Sequence, residues 1–101
     1  VKKYIDENYK NPDFYIKSIG DHFNKTPYYI SNCFKSHEKI SILNYISMLR
    51  IEEAKKLIKN TGKTFTEIAE LVGFNNFRNF NRTFKKLEGI TPGQFRKLPK
   101  E

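Results

Sequence analysis

Shifted along itself by 50 positions, the sequence meets its own pattern again. Phe34-Lys35 falls on Phe84-Lys85, Glu38 on Glu88, Ile40 on Ile90, Ser41 on Thr91 and Tyr45 on Phe95. At a shift of 49, Ile19 falls on Ile68, Gly20 on Ala69 and Asn24 on Gly73. The change of one residue between the two shifts places an insertion near the second turn. A repeat of this kind means one supersecondary unit built twice. The unit has a physical reading. A small residue (Gly20, Ala69) sits in a helix where the next helix must cross closely. Four residues on comes a residue that tolerates positive φ (Asn24, Gly73), as a tight turn between helices requires. A capped helix follows. That is the layout of a helix-turn-helix, whose second helix can enter a DNA major groove.

Between the copies, residues 41–60 read as one helix. Ile42, Tyr45, Ile46, Leu49, Ala54, Leu57 and Ile58 recur at helical spacing, with Ser41 as N-cap. Glu52 precedes Lys56 by four residues, the favourable order for an ion pair. Asn60-Thr61-Gly62 supplies a stop through a left-handed residue. Eighteen such residues span about 27 Å.

The remaining elements follow from caps and turns. A short helix opens the chain and ends near Tyr9, and Asn11-Pro12-Asp13 is a turn. A second helix carries Ile16, Ile19, Gly20 and Phe23 on one face. Thr26-Pro27 begins a third, ending near Ser36, with Tyr29, Ile30, Cys33 and Phe34 inward. Thr64 and Glu67 form a capping box ahead of Ile68, Ala69, Leu71 and Val72. Asn75 is expected to cap a helix reaching about Leu87. Glu88-Gly89 ends it, and Thr91-Pro92 starts a last helix through Phe95. No segment alternates with period two. The expected fold is all-α: seven helices forming two helix-turn-helix subdomains, residues 1–40 and 61–101, joined by the 41–60 linker helix into one 101-residue domain.

A chain of 101 residues has little core to spare, so the halves are expected to need each other or the helix between them. Nineteen basic residues against 11 acidic give +8, which suggests a polyanionic partner. One cysteine, Cys33, excludes an internal disulfide and fits a reducing compartment, here the cytoplasm. No apolar run approaches a membrane span, and no signal-peptide core follows the first lysines, so no membrane partner is expected. The start at Val1 reads as a fragment cut from a longer chain. Catalysis finds no constellation: His22, His37 and Cys33 lack a third orienting group and an oxyanion site, and no Gly-rich phosphate loop occurs. Cys33 is expected in or near the core. Neither an enzyme nor a cofactor is expected.

At this point the residues resemble a known family. Ile68-Ala69, Val72-Gly73-Phe74, Phe80, Arg82, Phe84-Lys85, Gly89, Thr91-Pro92 and Phe95-Arg96 are similar, in order and spacing, to the signature of AraC/XylS-type transcription regulators. The first half matches through Ile30, Phe34-Lys35 and Arg50-Ile51-Glu52 with Ala54 and Leu57. Asn32 stands where these proteins often carry Arg, and Glu38-Lys39 where they often carry Gly. The resemblance implies a sequence-specific, duplex-DNA-binding domain with RNA polymerase as a further partner. It also implies a separate sensing or dimerising domain elsewhere in the protein.

In a recognition helix the inward stripe packs and the outward stripe near the N-terminus reads base edges. In the first copy Tyr28, Ser31, Asn32 and Lys35 are expected to point out. In the second, the outward set is Phe77, Arg78, Asn81, Arg82 and Lys85. Arg grips the two acceptors of guanine, Asn suits adenine, and an aromatic ring can touch a thymine methyl. Lys35 is assigned to phosphate. Arg82 is assigned to base or phosphate, the alternative being a brace on the turn through backbone carbonyls. Arg50 is expected in a helix-surface ion pair, and Phe74 in the core. The capped starts of three helices are candidate phosphate clamps. The competing reading is a basic helical interaction module that binds an acidic protein partner.

Overall fold

The computed structural model describes residues 1–99. They form seven helices: α1 Lys2–Asn8, α2 Ile16–Phe23, α3 Pro27–Glu38, α4 Ile42–Asn60, α5 Phe65–Val72, α6 Phe77–Glu88 and α7 Pro92–Lys97. No strand occurs among the described residues. The repeat is visible element by element. α2 and α5 have 8 residues each, and α3 and α6 have 12 each. Each pair is joined through a left-handed residue, Asn24 at φ 56° and Gly73 at φ 112°. α3 and α6 also end alike, on Lys39 at φ 66° and Gly89 at φ 81°.

The caps explain where most helices begin. Thr26, Ser41, Thr64 and Thr91 each accept a hydrogen bond from the amide three residues on, satisfying a donor the helix leaves free. Glu67 returns the favour to the Thr64 amide, and that backbone hydrogen bond holds its carboxyl below the usual range. Two boundaries differ from expectation. Asn76, not Asn75, caps α6, its Oδ1 accepting from Asn79 N at 2.8 Å. The extra residue of the second turn moves the cap one place along. α4 does not stop on a left-handed residue: Asn60 is helical and Thr61 is extended at φ −137°. Leu57 O accepts from both the Thr61 amide at 3.0 Å and the Thr61 hydroxyl at 2.6 Å, which ties the first extended residue back to the last turn.

Two cores form, one at each end of α4. Ile5, Ile19, Ile30, Phe34, Ile42 and Ile46 anchor the first. Ile51, Ala54, Ile58, Ile68, Phe80 and Phe84 anchor the second. The boundary lies between Leu49 and Ile51, because α4 turns one stripe to the first core and another to the second. Ile51 and the loop residue Phe14 are buried although no periodic stripe had singled them out. Phe74 is buried, as expected. Tyr29 and Cys33 are exposed rather than inward, since α3 packs through Ile30 and Phe34 alone. Phe23 also stays partly out, edge-on to Tyr4 at 5.6 Å between centroids.

The repeat extends further than the sequence shift revealed. Lys2 on α1 pairs with Glu38 at 3.2 Å and lies 5.5 Å over the Tyr45 ring. Lys55 on α4 pairs with Glu88 at 3.0 Å and lies 5.7 Å over the Phe95 ring. α1 therefore does for the first unit what the C-terminal half of α4 does for the second. α4 closes one unit and opens the other. Lys55 also takes the partner expected for Lys56, reaching Glu52 at 3.4 Å.

Candidate nucleic-acid interface

α3 and α6 present corresponding outer stripes. On α3, Tyr28 is 78% exposed, and Asn32 and Lys35 are exposed beside it. Ser31 is half-buried, on the flank next to Phe34. On α6, Arg78, Arg82 and Lys85 are exposed along one line. Asn81, the counterpart of Ser31, is likewise half-buried. Phe77 is only 39% exposed, its ring stacked 6.5 Å from Phe65 and tilted 6.3 Å from Phe80. It is a packing residue with one open edge. The residues thus gather in two groups, one per helix, along a molecule 43 Å long and about half as wide.

The two stripes differ in charge. α6 carries Arg78, Arg82, Lys85 and Lys86 against the single carboxylate Glu88. α3 carries Lys35 against Glu38. Among the described residues, Arg78, Arg82, Lys85 and Lys86 have no carboxylate partner; the ion pairs there lie on other faces. Arg82 donates to Asn79 Oδ1 at 2.9 Å, which steadies the guanidinium without burying it. Among the described residues it makes no hydrogen bond to a backbone carbonyl of the turn. Lys86 is exposed on the flank of this stripe, next to Lys85.

The brace is Arg50, where a surface ion pair was expected. Its Nε donates to Tyr9 O at 2.8 Å, and an η nitrogen reaches Asn11 O at 3.2 Å and Phe14 O at 3.3 Å. Burial lowers its pKa from the ordinary arginine value. Each of the three carbonyl bonds is charge-assisted, whereas an exposed ion pair would contribute little.

No helix among the described residues is long and apolar enough to cross a membrane. No group of three or more His, Cys, Asp or Glu side chains among them could hold a metal ion.

Comparisons with known proteins agree with this architecture. The model of a helix-turn-helix domain family matches residues 19–98. The bifunctional transcriptional activator/DNA repair enzyme AdaA of Bacillus subtilis is 34% identical over 100 residues, covering 99% of this chain and 47% of that protein. The arabinose operon regulatory protein of Escherichia coli is 32% identical over 94 residues, covering 93% of this chain and 32% of that protein. The C-terminal domain of the two-component response regulator yesN from Fusobacterium nucleatum superposes with a TM-score of 0.92 at 33% identity, covering 95% of this chain and 93% of that one. The chain thus spans less than half the length of these curated relatives. With the family model covering both recognition helices, and the repeat intact in sequence and structure, the chain belongs to the AraC/XylS-type transcription regulator family, as its DNA-binding domain.

Proposed function

We propose that the domain binds duplex DNA by laying α3 and α6 in successive major grooves on one face of the helix. The observation that carries this reading is the pair of corresponding outer stripes. Two 12-residue helices, each held by a buried pair of residues 50 positions apart (Ile30 and Phe34, Phe80 and Phe84), turn polar and cationic side chains outward. Grooves on one face recur about every 34 Å, a spacing the 43 Å molecule can span. Arg78 and Arg82 suit guanine and Asn81 adenine, while Lys35 and Lys85 suit phosphate. Tyr28, Ser31 and Asn32 form the first reading surface, which suits thymine methyls and adenine. The open edge of Phe77 adds apolar contact.

In the whole protein this module regulates transcription in the cytoplasm, with RNA polymerase as a second partner and a companion domain that senses a signal or dimerises. The two curated relatives named above are longer than this chain, which supports a companion domain. The domain works by recognition rather than by catalysis.

Selection of bound sequences from a random duplex pool tests the proposal. A bipartite consensus with half-sites about one turn apart is the expected result. Affinity for it should fall with salt at a slope of about −0.9 per phosphate neutralised. A single half-site consensus, or tighter binding to an acidic peptide than to duplex, would overturn it.

A further inference from the structure

Arg50 sits on α4 where one core ends and the other begins, between Leu49 of the first and Ile51 of the second. Its guanidinium faces both units. Toward the first it binds the carbonyls of Tyr9, Asn11 and Phe14, all in the connection between α1 and α2. Toward the second it lies 5.7 Å over the ring of Phe74, which follows the turn glycine Gly73. Gly73 itself packs against this point. A Cβ there would collide with Tyr9 O and stand 2.7 Å from Arg50 Nε. The first unit's loop, the second unit's turn and α4 therefore meet around one guanidinium. Nearby, the ion pair of Lys10 with Glu53 at 3.8 Å adds to the loop's hold on α4.

We propose that Arg50 is a positioning residue that locks the angle between the two reading heads and so sets which half-site spacing the domain accepts. α4 alone fixes the distance between the units, but a helix attached to two separate cores leaves the units free to bend and roll about the junction. A planar cation with several rigid donors suits a point where carbonyls from one unit must stay registered with a ring and a glycine from the other. The three carbonyls are spread over one connection, so binding them together favours one geometry of the guanidinium. The significance for DNA rests on the two-groove reading above; the mechanical part does not.

The two parts are tested separately. Spin labels on the exposed Cys33 of α3 and on Glu70→Cys of α5 report the distance between units in the free protein. Arg50→Ala is expected to broaden a narrow distance distribution, and Arg50→Lys to restore part of it through one remaining carbonyl contact. A folded Arg50→Ala protein with an unchanged distribution overturns the latch. So does a loss of the first unit's own helicity, seen by backbone NMR, in both variants, because Arg50 would then be part of that unit's fold. For the second part, the duplexes are the selected bipartite site, the same site with one base pair inserted between half-sites, and each half-site alone. Without the latch, affinity for the selected site is expected to fall about tenfold, since a looser tether lowers the effective concentration of the second head. Half-site affinities stay level, and the penalty for the inserted base pair shrinks. Broadening with unchanged spacing preference would keep the latch and overturn its role in recognition. A parent protein with no bipartite preference would remove the two-groove reading while leaving the spin-label result to stand alone.

Discussion

The two helix-turn-helix units share one backbone plan and spend it differently. Position by position, Tyr28 faces Arg78, Asn32 faces Arg82 and Ser36 faces Lys86, so nearly every cation on α6 corresponds to a neutral residue on α3. Their cores differ in the same sense. The first is largely isoleucine, whereas the second runs through a chain of rings, Phe74 to Phe80 to Phe84 to Phe95, with centroids 5.5, 5.8 and 5.6 Å apart. The difference teaches that a duplicated scaffold keeps what the backbone needs, namely caps, left-handed turns and the inward pair, and lets the outward stripe diverge. It also suggests a division of labour on DNA. On the proposed two-groove reading, the second unit is expected to supply electrostatic hold, and the first to add contacts that depend more on groove shape and methyl groups.

The largest expected effect separates the cores. Phe84 is fully buried between Phe80 and Phe95, while Phe34, its counterpart, is 5% exposed and meets the one ring of Tyr45. Phe84→Ala should cost about 3–5 kcal/mol in urea unfolding, and Phe34→Ala distinctly less. In a small domain with roughly 5–15 kcal/mol in total, the first loss is enough to threaten the fold. Equal costs would erase the contrast between the cores.

Next come the reading stripes. Arg82→Ala should weaken binding to the selected site by about 1–3 kcal/mol and relax one base preference, with its melting temperature barely changed because the side chain is exposed. Neutralising Lys85 and Lys86 together should flatten the salt slope by up to about two units, if each meets a phosphate. Tyr28→Ala and Asn32→Ala should leave the slope alone and alter sequence preference only. If the first-unit pair changes the slope as much as the lysine pair does, the division of labour is wrong.

How far the sequence led depended on the kind of signal. Caps and turn residues are local, so Ser41, Thr26-Pro27, the Thr64–Glu67 box and the pair Asn24 and Gly73 could be read directly, and with them the seven helices. Asn75 and Asn76 are equal as caps in sequence, and only the geometry of the turn decides for Asn76. Ile51 falls outside a single helical stripe because α4 serves two cores and turns a different face to each. Cys33 and Tyr29 lie at the edge of the apolar stripe of α3, where the wheel angle does not decide burial. Arg50 was beyond reach for a different reason. Its carbonyl partners are 36–41 residues away, and backbone acceptors leave no mark in a sequence. The outward stripes of α3 and α6 follow from the inward ones by geometry, which is why most of the candidate site residues come out on the exposed side. Ser31 and Asn81 come out half-buried because they sit next to the large rings of Phe34 and Phe84.

A smaller effect tests how closely the helices cross. Gly20 and Ala69 are counterparts, yet a Cβ built at Gly20 stands 2.5 Å from Lys25 O, a backbone atom with little room to move. Ala69 carries a Cβ at this position and is fully buried. Gly20→Ala gains helix propensity, about 1 kcal/mol. It must also displace the chain at the α2–α3 turn, an overpacking cost of about 1–3 kcal/mol. A net destabilisation of about 1 kcal/mol is expected in unfolding experiments. Stabilisation by Gly20→Ala would mean that the two units cross at the same distance and that the glycine is incidental.

The smallest effect concerns the ends of the two recognition helices. Lys39 and Gly89 occupy the same position, both left-handed, and each amide donates to the carbonyl four residues back, Lys39 to Lys35 at 2.9 Å and Gly89 to Lys85 at 2.8 Å. A side chain at positive φ costs about 1–2 kcal/mol, which glycine avoids. Glycine in turn loses more backbone entropy on folding. Lys39→Gly should therefore stabilise the protein by about 0.5–1 kcal/mol, without touching the outer stripe of α3. The reciprocal change, Gly89→Lys, should destabilise by a similar amount. Nothing lies within 4 Å of a Cβ built at Gly89, so backbone conformation alone sets that cost. Two chemical-denaturation curves settle the matter: shifts of opposite sign and similar size mean that the two ends are one device with different residues. If Lys39→Gly instead destabilises, the lysine side chain is contributing there, and the first unit ends its recognition helix by means the second does not share.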